Sequence, residues 1–89
     1  MDVSRIDPSR AKRVPTPTEL AEILVDTLAA GAGGDAVRWR EVLGAVRKLA
    51  LTTGARSNWS VEPRGSDDEM VAVQRAVKII RAEHPYVSE

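Results

Sequence analysis

The same helix-start signature occurs at residues 16 and 66, and it limits the folds open to this chain. Thr16-Pro17-Thr18-Glu19 and Ser66-Asp67-Asp68-Glu69 both have the form of a capping box. In that motif a hydroxyl and a carboxylate satisfy two amides at the helix start. Pro17 would lie at the first helical position, where its missing N–H costs no hydrogen bond. Apolar residues follow both boxes at helical spacing, so the sequence predicts helices near 17–30 and 67–83.

A third amphipathic stretch lies between these two, over residues 36–53. Its apolar residues share one face at 100° per residue. They are Trp39, Val42, Leu43, Val46, Leu49 and Ala50. Asp35 is a suitable N-cap and Gly54 a suitable C-terminal stop, so the pattern predicts one helix over 36–53.

These elements predict an all-α fold, a small three-helix bundle. Residues 1–15 are predicted to form a flexible basic arm, because Pro8 and Pro15 break helices and the apolar residues are isolated. Residues 16–89 are then a single helical domain with a long second connection, over 55–65. We expect Trp59 to turn inward from that connection; a short extended piece around Trp59 and Val61 is the alternative. With 89 residues and no cysteine the core is small, so association with a second copy is a possible source of further burial.

Charge is balanced overall but segregated along the chain. The 13 basic and 13 acidic residues cancel, which argues against a general polyanion binder. Residues 16–34 carry three acidic and no basic residues, residues 35–56 carry five basic and two acidic, and residues 57–89 carry four basic and six acidic. We expect neighbouring segments to attract one another when packed. Like-charged faces turned outward are the alternative.

The sequence does not predict an enzyme, a cofactor or a metal site. His84 is the only histidine, and before Pro85 at a helix end it is expected to act as a cap. Known nucleophile, phosphate-loop and metal-ligand spacings are lacking. The acidic run 67–69 is explained by the helix dipole, and its spacing does not match a calcium-binding loop.

Composition bears on location and origin. No apolar run approaches the roughly 20 residues that span a bilayer, and the basic N-terminus lacks the apolar region of a secretory signal. We therefore expect a cytoplasmic protein with no membrane contact, and we interpret the Asn58-Trp59-Ser60 sequon as chance. Arginine outnumbers lysine ten to three and alanine is abundant, as in proteins of GC-rich bacterial or phage genomes.

Several aliphatic side chains are predicted to project off the core faces of their helices, namely Val25, Leu51, Val71 and Ile79. Together they suggest an interface patch or a dimer seam. The sequence therefore favours a small non-catalytic protein-binding module of the regulator, inhibitor or adaptor type. It would bind another protein or its own copy through helices two and three. The predicted partner-binding residues are Val71, Arg75, Lys78, Ile79, Arg81, Arg40, Arg47 and Leu51.

The alternative function is a nucleic-acid-binding regulator. Basic side chains on two helices and the N-terminal arm would then contact phosphates. The helical residues in question are Arg38, Arg40, Arg47, Arg75, Lys78 and Arg81.

Overall fold

The computed structural model describes residues 14–50 and 56–88, which form three helices and a short sheet. The helices are α1 (Pro17–Gly31), α2 (Ala36–Leu43) and α3 (Asp67–Glu83). The strands β1 (Arg47–Lys48) and β2 (Trp59–Ser60) are antiparallel, with Arg47 opposite Ser60 and Lys48 opposite Trp59. The described chain is mostly helical, but the sheet corrects the predicted all-α three-helix bundle.

Both capping boxes are formed. In the first, the Glu19 amide donates to Thr16 Oγ1 at 3.1 Å, and the Thr16 amide donates to Glu19 Oε1 at 2.9 Å. In the second, the Glu69 amide donates to Ser66 Oγ at 3.2 Å, and the Ser66 amide donates to Glu69 Oε1 at 2.8 Å. Helix α1 extends one residue beyond the predicted range, and α3 spans 67–83.

The predicted helix over 36–53 is wrong from Gly44 to Ala50, and residues 51–53 lie outside the described residues. It begins as expected, with the Val37 amide donating to Asp35 Oδ1 at 2.9 Å, but it ends at Gly44. Gly44 has φ +69°, a conformation that glycine adopts without steric cost, and the chain leaves the helix there. The chain then pairs with the second connection, where the Leu49 amide donates to the Asn58 carbonyl at 2.6 Å. Gly54, the predicted stop, lies outside the described residues.

Helix α1 is the central element, because it packs against both α2 and α3. Two neighbours cover a wide arc of α1, and Val25 is only 1% exposed. The prediction that Val25 projects off the core is therefore wrong. The buried apolar core consists of Leu20, Leu24, Val25, Leu28, Trp39, Val42, Leu43, Val46, Trp59, Val73, Ala76, Ile80 and Val87.

The residues after α3 fold back over the second connection. Trp59 turns inward as predicted, is 1% exposed, and donates from Nε1 to the His84 carbonyl at 2.8 Å. The buried Asn58 amide bonds the backbone of Val87 in both directions: Nδ2 donates to its carbonyl at 2.9 Å, and Oδ1 accepts from its amide at 2.7 Å. The Ser88 amide then donates to the Pro15 carbonyl at 2.9 Å, which brings the tail to the start of α1.

Candidate binding surfaces

Three arginines on and after α2 are paired with carboxylates of other elements. We call Arg38, Arg40 and Arg47 the paired flank. Arg38 binds Glu69 through two parallel bonds, Nε–Oε2 and Nη2–Oε1, both 2.9 Å. Arg40 binds Glu22 in the same way, at 3.0 and 2.7 Å.

Arg47 completes the paired flank with a contact of 3.4 Å to Glu62. The basic segment is therefore joined to α1 through Glu22 and to α3 through Glu69, which confirms the predicted attraction between segments of opposite charge. These arginines are engaged within the fold.

The ion pairs also shift the titration of their partners. The Arg38 guanidinium, which donates to Glu69, lowers the pKa of that carboxyl from 4.5 to about 2, and the Ser66 backbone amide contributes in the same direction. Arg40 lowers the pKa of Glu22. The carboxylates in turn raise the pKa of Arg38 and of Arg40. Both pairs therefore stay ionised over a wider pH range than the isolated groups would.

Arg81, a predicted partner-binding residue, is tied to the second connection. Its guanidinium carbon lies 4.3 Å from the centroid of the Trp59 ring, and its Nη2 donates to the Trp59 carbonyl at 2.9 Å. Its Nε is buried and has no hydrogen-bond partner. The charged group is thus held in one position while part of its donor capacity is unused.

A groove of about 790 Å³ runs between α3 and the segment that contains β2. We call it the α3–β2 groove. Its apolar lining comes from Val61, Pro63, Met70, Val73, Val77 and Ala82, and its polar lining from Arg56, Ser60, Gln74, Lys78 and Arg81. No carboxylate is among the described residues that line it. The groove therefore combines an apolar floor with three cations.

A smaller groove, of about 260 Å³, lies on the opposite side of α3 against the end of α1. We call it the α1–α3 groove. Arg75 and Ile79 line it from α3, and Ile79 is 53% exposed. Val71, one turn before Arg75, is 47% exposed. Val71, Arg75 and Ile79 are spaced four residues apart, so they form one ridge along the helix surface.

The structure separates the predicted partner-binding residues into three groups. Arg40 and Arg47 belong to the paired flank, and Lys78 and Arg81 line the α3–β2 groove. Arg75 and Ile79 line the α1–α3 groove, with Val71 on the same ridge. Leu51 lies outside the described residues. Of the predicted residues, those on α3 line or border the two grooves. Arg40 on α2 and Arg47, which lies in β1 rather than on a helix, are instead paired within the fold.

Sequence reasoning missed the role of Asn58. It is 3% exposed, and its amide nitrogen is bonded to Val87, so glycan attachment is blocked in the folded chain by burial. The partner lies 29 residues away, and no local pattern signals the pairing. The stacking of Arg81 on Trp59, across 22 residues, was missed for the same reason.

His84 stands at the C-cap of α3, where its amide donates to the Ile80 carbonyl at 2.6 Å. Among residues 14–50 and 56–88, no three histidine, cysteine or acidic side chains cluster in a way that could hold a metal ion. None of the helices in that part of the chain is long and apolar enough to cross a membrane.

Comparison of the chain with models of protein families, with curated proteins and with solved structures gives no match.

Proposed function

We propose that this chain is a small non-catalytic protein-binding module that acts through α3. The observation that carries the proposal is the exposed ridge of Val71, Arg75 and Ile79, in which both aliphatic side chains are about half exposed. Single exposed aliphatics are ordinary, but neighbouring ones along a helix mark an interaction surface.

The charge around the ridge fits the same role. No ion pair joins Arg75 or Lys78 to a carboxylate within the described residues, whereas Arg38, Arg40 and Arg47 all have such partners. Protein interfaces commonly have an apolar centre and a polar rim, and arginine is enriched in them. Helix α3 offers that arrangement, whereas the arginines of the paired flank are bound to carboxylates of the same chain.

Nucleic-acid binding has less support. Of the six cations on the predicted helices, Arg38, Arg40 and Arg47 are paired with carboxylates. Arg75, Lys78 and Arg81 remain on α3, and three cations release few of the counterions that drive binding to a phosphate backbone. Residues 1–13, which hold the basic side chains of the predicted arm, lie outside the described residues.

Site-specific photo-cross-linking tests the proposal. A photoreactive residue at position 79, in the chain expressed in its native cell, should form an adduct with a partner protein or with a second copy. The matched control is position 37, since Val37 is a comparably exposed aliphatic at 59% but lies on α2. Sedimentation of the purified chain over a range of concentrations distinguishes the two kinds of partner.

An adduct at position 79 that disappears when Val71 is changed to Ser supports binding through the ridge. Equal adducts at positions 37 and 79 would show unspecific contact. A strictly monomeric chain without adducts at 71, 75 or 79 contradicts the proposal.

A further inference from the structure

We infer that the α3–β2 groove binds an acidic amphipathic segment of another protein. This inference goes beyond the proposed function, because none of Val71, Arg75 and Ile79 lines the α3–β2 groove. The groove would be a second binding surface of α3, and the inference specifies the chemistry of its occupant.

The floor of the groove is suited to apolar side chains. Val61 and Val77 are half-buried and pack against the core, and Val73 beneath them is fully buried. Met70 is also half-buried at the groove but is not among the residues packed on the core. A methionine in that position can change rotamer to fit a partner, since its unbranched side chain has three rotatable bonds.

The charge of the lining selects an anionic partner. Arg56, Lys78 and Arg81 line the groove, and no described lining residue carries a carboxylate. A segment with apolar residues on one side and Glu or Asp beside them would meet complementary charge at the rim. Such complementarity mainly sets specificity and association rate.

Arg81 is prepared for a carboxylate. The Trp59 ring and the Trp59 carbonyl hold its guanidinium in place, so little side-chain freedom remains to be lost on binding. The buried Nε lacks an acceptor, and leaving a buried donor unsatisfied is unfavourable. A carboxylate from the partner would add acceptors next to this fixed charge.

The dimensions of the groove fit a short helix. The lining residues of α3 run from Met70 to Ala82, about 18 Å at 1.5 Å per residue. A partner helix of about 12 residues has the same length, and its apolar side would follow the i, i+3, i+4, i+7 pattern of helices bound in grooves.

The same lining argues against nucleic acid as the occupant. Binding of single strands depends on aromatic side chains on which bases stack. Trp59 is 1% exposed, and no aromatic residue is among the described residues that line the groove. A peptide uses the apolar floor, which a phosphate backbone would leave unused.

The probe is a panel of 14-residue helical peptides with glutamates on one face and varied aliphatic residues on the other. The controls are the same peptides with lysine in place of glutamate. Titration calorimetry measures affinity, and amide chemical shifts of the labelled full chain locate the site. We expect the acidic peptides to bind and the largest shifts to fall on the groove.

Two charge reversals on α3 form a matched pair. Lys78→Glu places a negative charge at the groove, which repels the glutamates of the peptide. It should lower the affinity for the acidic peptide by about tenfold or more. Arg75→Glu, one turn away on the α1–α3 side, should change affinity by less than about twofold, since rim charges outside a contact are largely screened. Tryptophan fluorescence of both variants checks that the fold is retained.

Several outcomes would overturn the inference. These are a lysine peptide that binds as well as the glutamate peptide, equal losses in the two variants, or no measurable binding by any acidic peptide. Tighter binding of a single-stranded DNA oligonucleotide, with shifts at the groove, would also reject it in favour of nucleic acid. If the peptides fail while the adduct at position 79 persists, the groove is rejected and the binding module stands; if both fail, both are rejected.

Discussion

The two basic regions of this molecule differ in whether their cationic side chains are paired with carboxylates. In the paired flank, Arg38 and Arg40 each form a two-bond ion pair with a glutamate of another helix. In the α3–β2 groove, Arg56 and Lys78 line an apolar channel without a carboxylate among its described residues. The first region holds the helices together, and the second presents charge to solvent.

The net charge of each sequence segment does not reveal this difference. Residues 35–56 have the largest excess of basic residues, yet most of that charge is neutralised by Glu22, Glu62 and Glu69. Residues 57–89 are acidic in sum, yet they supply Lys78 and Arg81 to the groove. Available charge therefore depends on which carboxylates the fold brings close.

The largest effect on stability is expected from Trp59→Ala, which removes the core side chain that supports Arg81 at the groove. The change removes a fully buried indole, its bond to His84 and the support of Arg81, and should lower the free energy of unfolding by about 3–5 kcal/mol. Urea denaturation followed by Trp39 fluorescence measures it. Val37→Ala, on an exposed position, is the control and should stay within about 0.5 kcal/mol. A loss below about 1 kcal/mol for Trp59→Ala would show that the contacts of Trp59 contribute little to the stability of the fold.

Glu69→Ala should give the next largest loss, because Glu69 serves the paired flank and the second capping box together. We expect about 1–2 kcal/mol in the free energy of unfolding. Asp68→Ala is the matched control: it removes a neighbouring carboxylate that acts only on the helix dipole and should cost about 0.3–1 kcal/mol. Equal losses in urea denaturation would show that the Arg38 pair and the capping box contribute nothing beyond the dipole.

Acid should weaken the paired flank through its Glu69 carboxylate. The pKa of Glu69 is lowered to about 2 in the folded chain from 4.5, so its contribution to stability is fully present above pH 4.5 and is lost as the pH falls toward 2. The stability difference between the native chain and Glu69→Gln should therefore be constant above pH 5 and shrink below it. Urea midpoints at pH 7, 5, 4 and 3 test this expectation. A difference that is unchanged at pH 3 would disprove the lowered pKa.

The smallest effects are expected from single arginine and lysine truncations at the surface. Arg40→Ala removes an ion pair whose two side chains are about half exposed, and should cost about 0.2–1 kcal/mol. Lys78→Ala should change stability by less than about 0.5 kcal/mol. In 1 M salt the Arg40→Ala loss should shrink, because the pair is screened. A larger loss of stability for Lys78→Ala than for Arg40→Ala would contradict the view that the paired flank, and not the groove, holds the fold together.

Local signals in the sequence located most of the helices. Thr16 and Ser66 begin capping boxes, and the helices that follow start where the boxes predict. Caps depend on residues within one turn, so the sequence contains them in readable form. The alternation around Trp59 likewise indicated a short extended piece, which the structure confirms as β2.

The failure at Gly44 has a different cause. Val46 continues the apolar period of α2 and is buried, but from a segment that leads into β1 rather than from a helix. The spacing of apolar residues indicates which side chains are buried, but it does not indicate the backbone conformation from which they are buried. The competing partners lie outside the local window: Asn58 bonds Leu49 nine residues earlier, and Trp59 pairs with Lys48 eleven residues earlier, so tertiary pairing overrode the local pattern.

The candidate site was only partly predictable. Arg75, Lys78 and Ile79 were recognised as projecting from α3, because helical geometry fixes their direction. The groove beside them could not be predicted from the sequence, because it depends on where Val61 and Pro63 lie against α3. The engagement of Arg40 with Glu22 also required the packing of α2 on α1.

Asn58 and Trp59 form hydrogen bonds with residues 84–87, so their burial is completed late in translation. Helices α1 and α2 are close in sequence and can pack as soon as both have been translated. Trp59 cannot complete its burial until His84 and Val87 follow, at about 5–20 residues per second on the ribosome. During that interval the nascent chain carries an incompletely covered indole, which a chaperone or another nascent chain could contact.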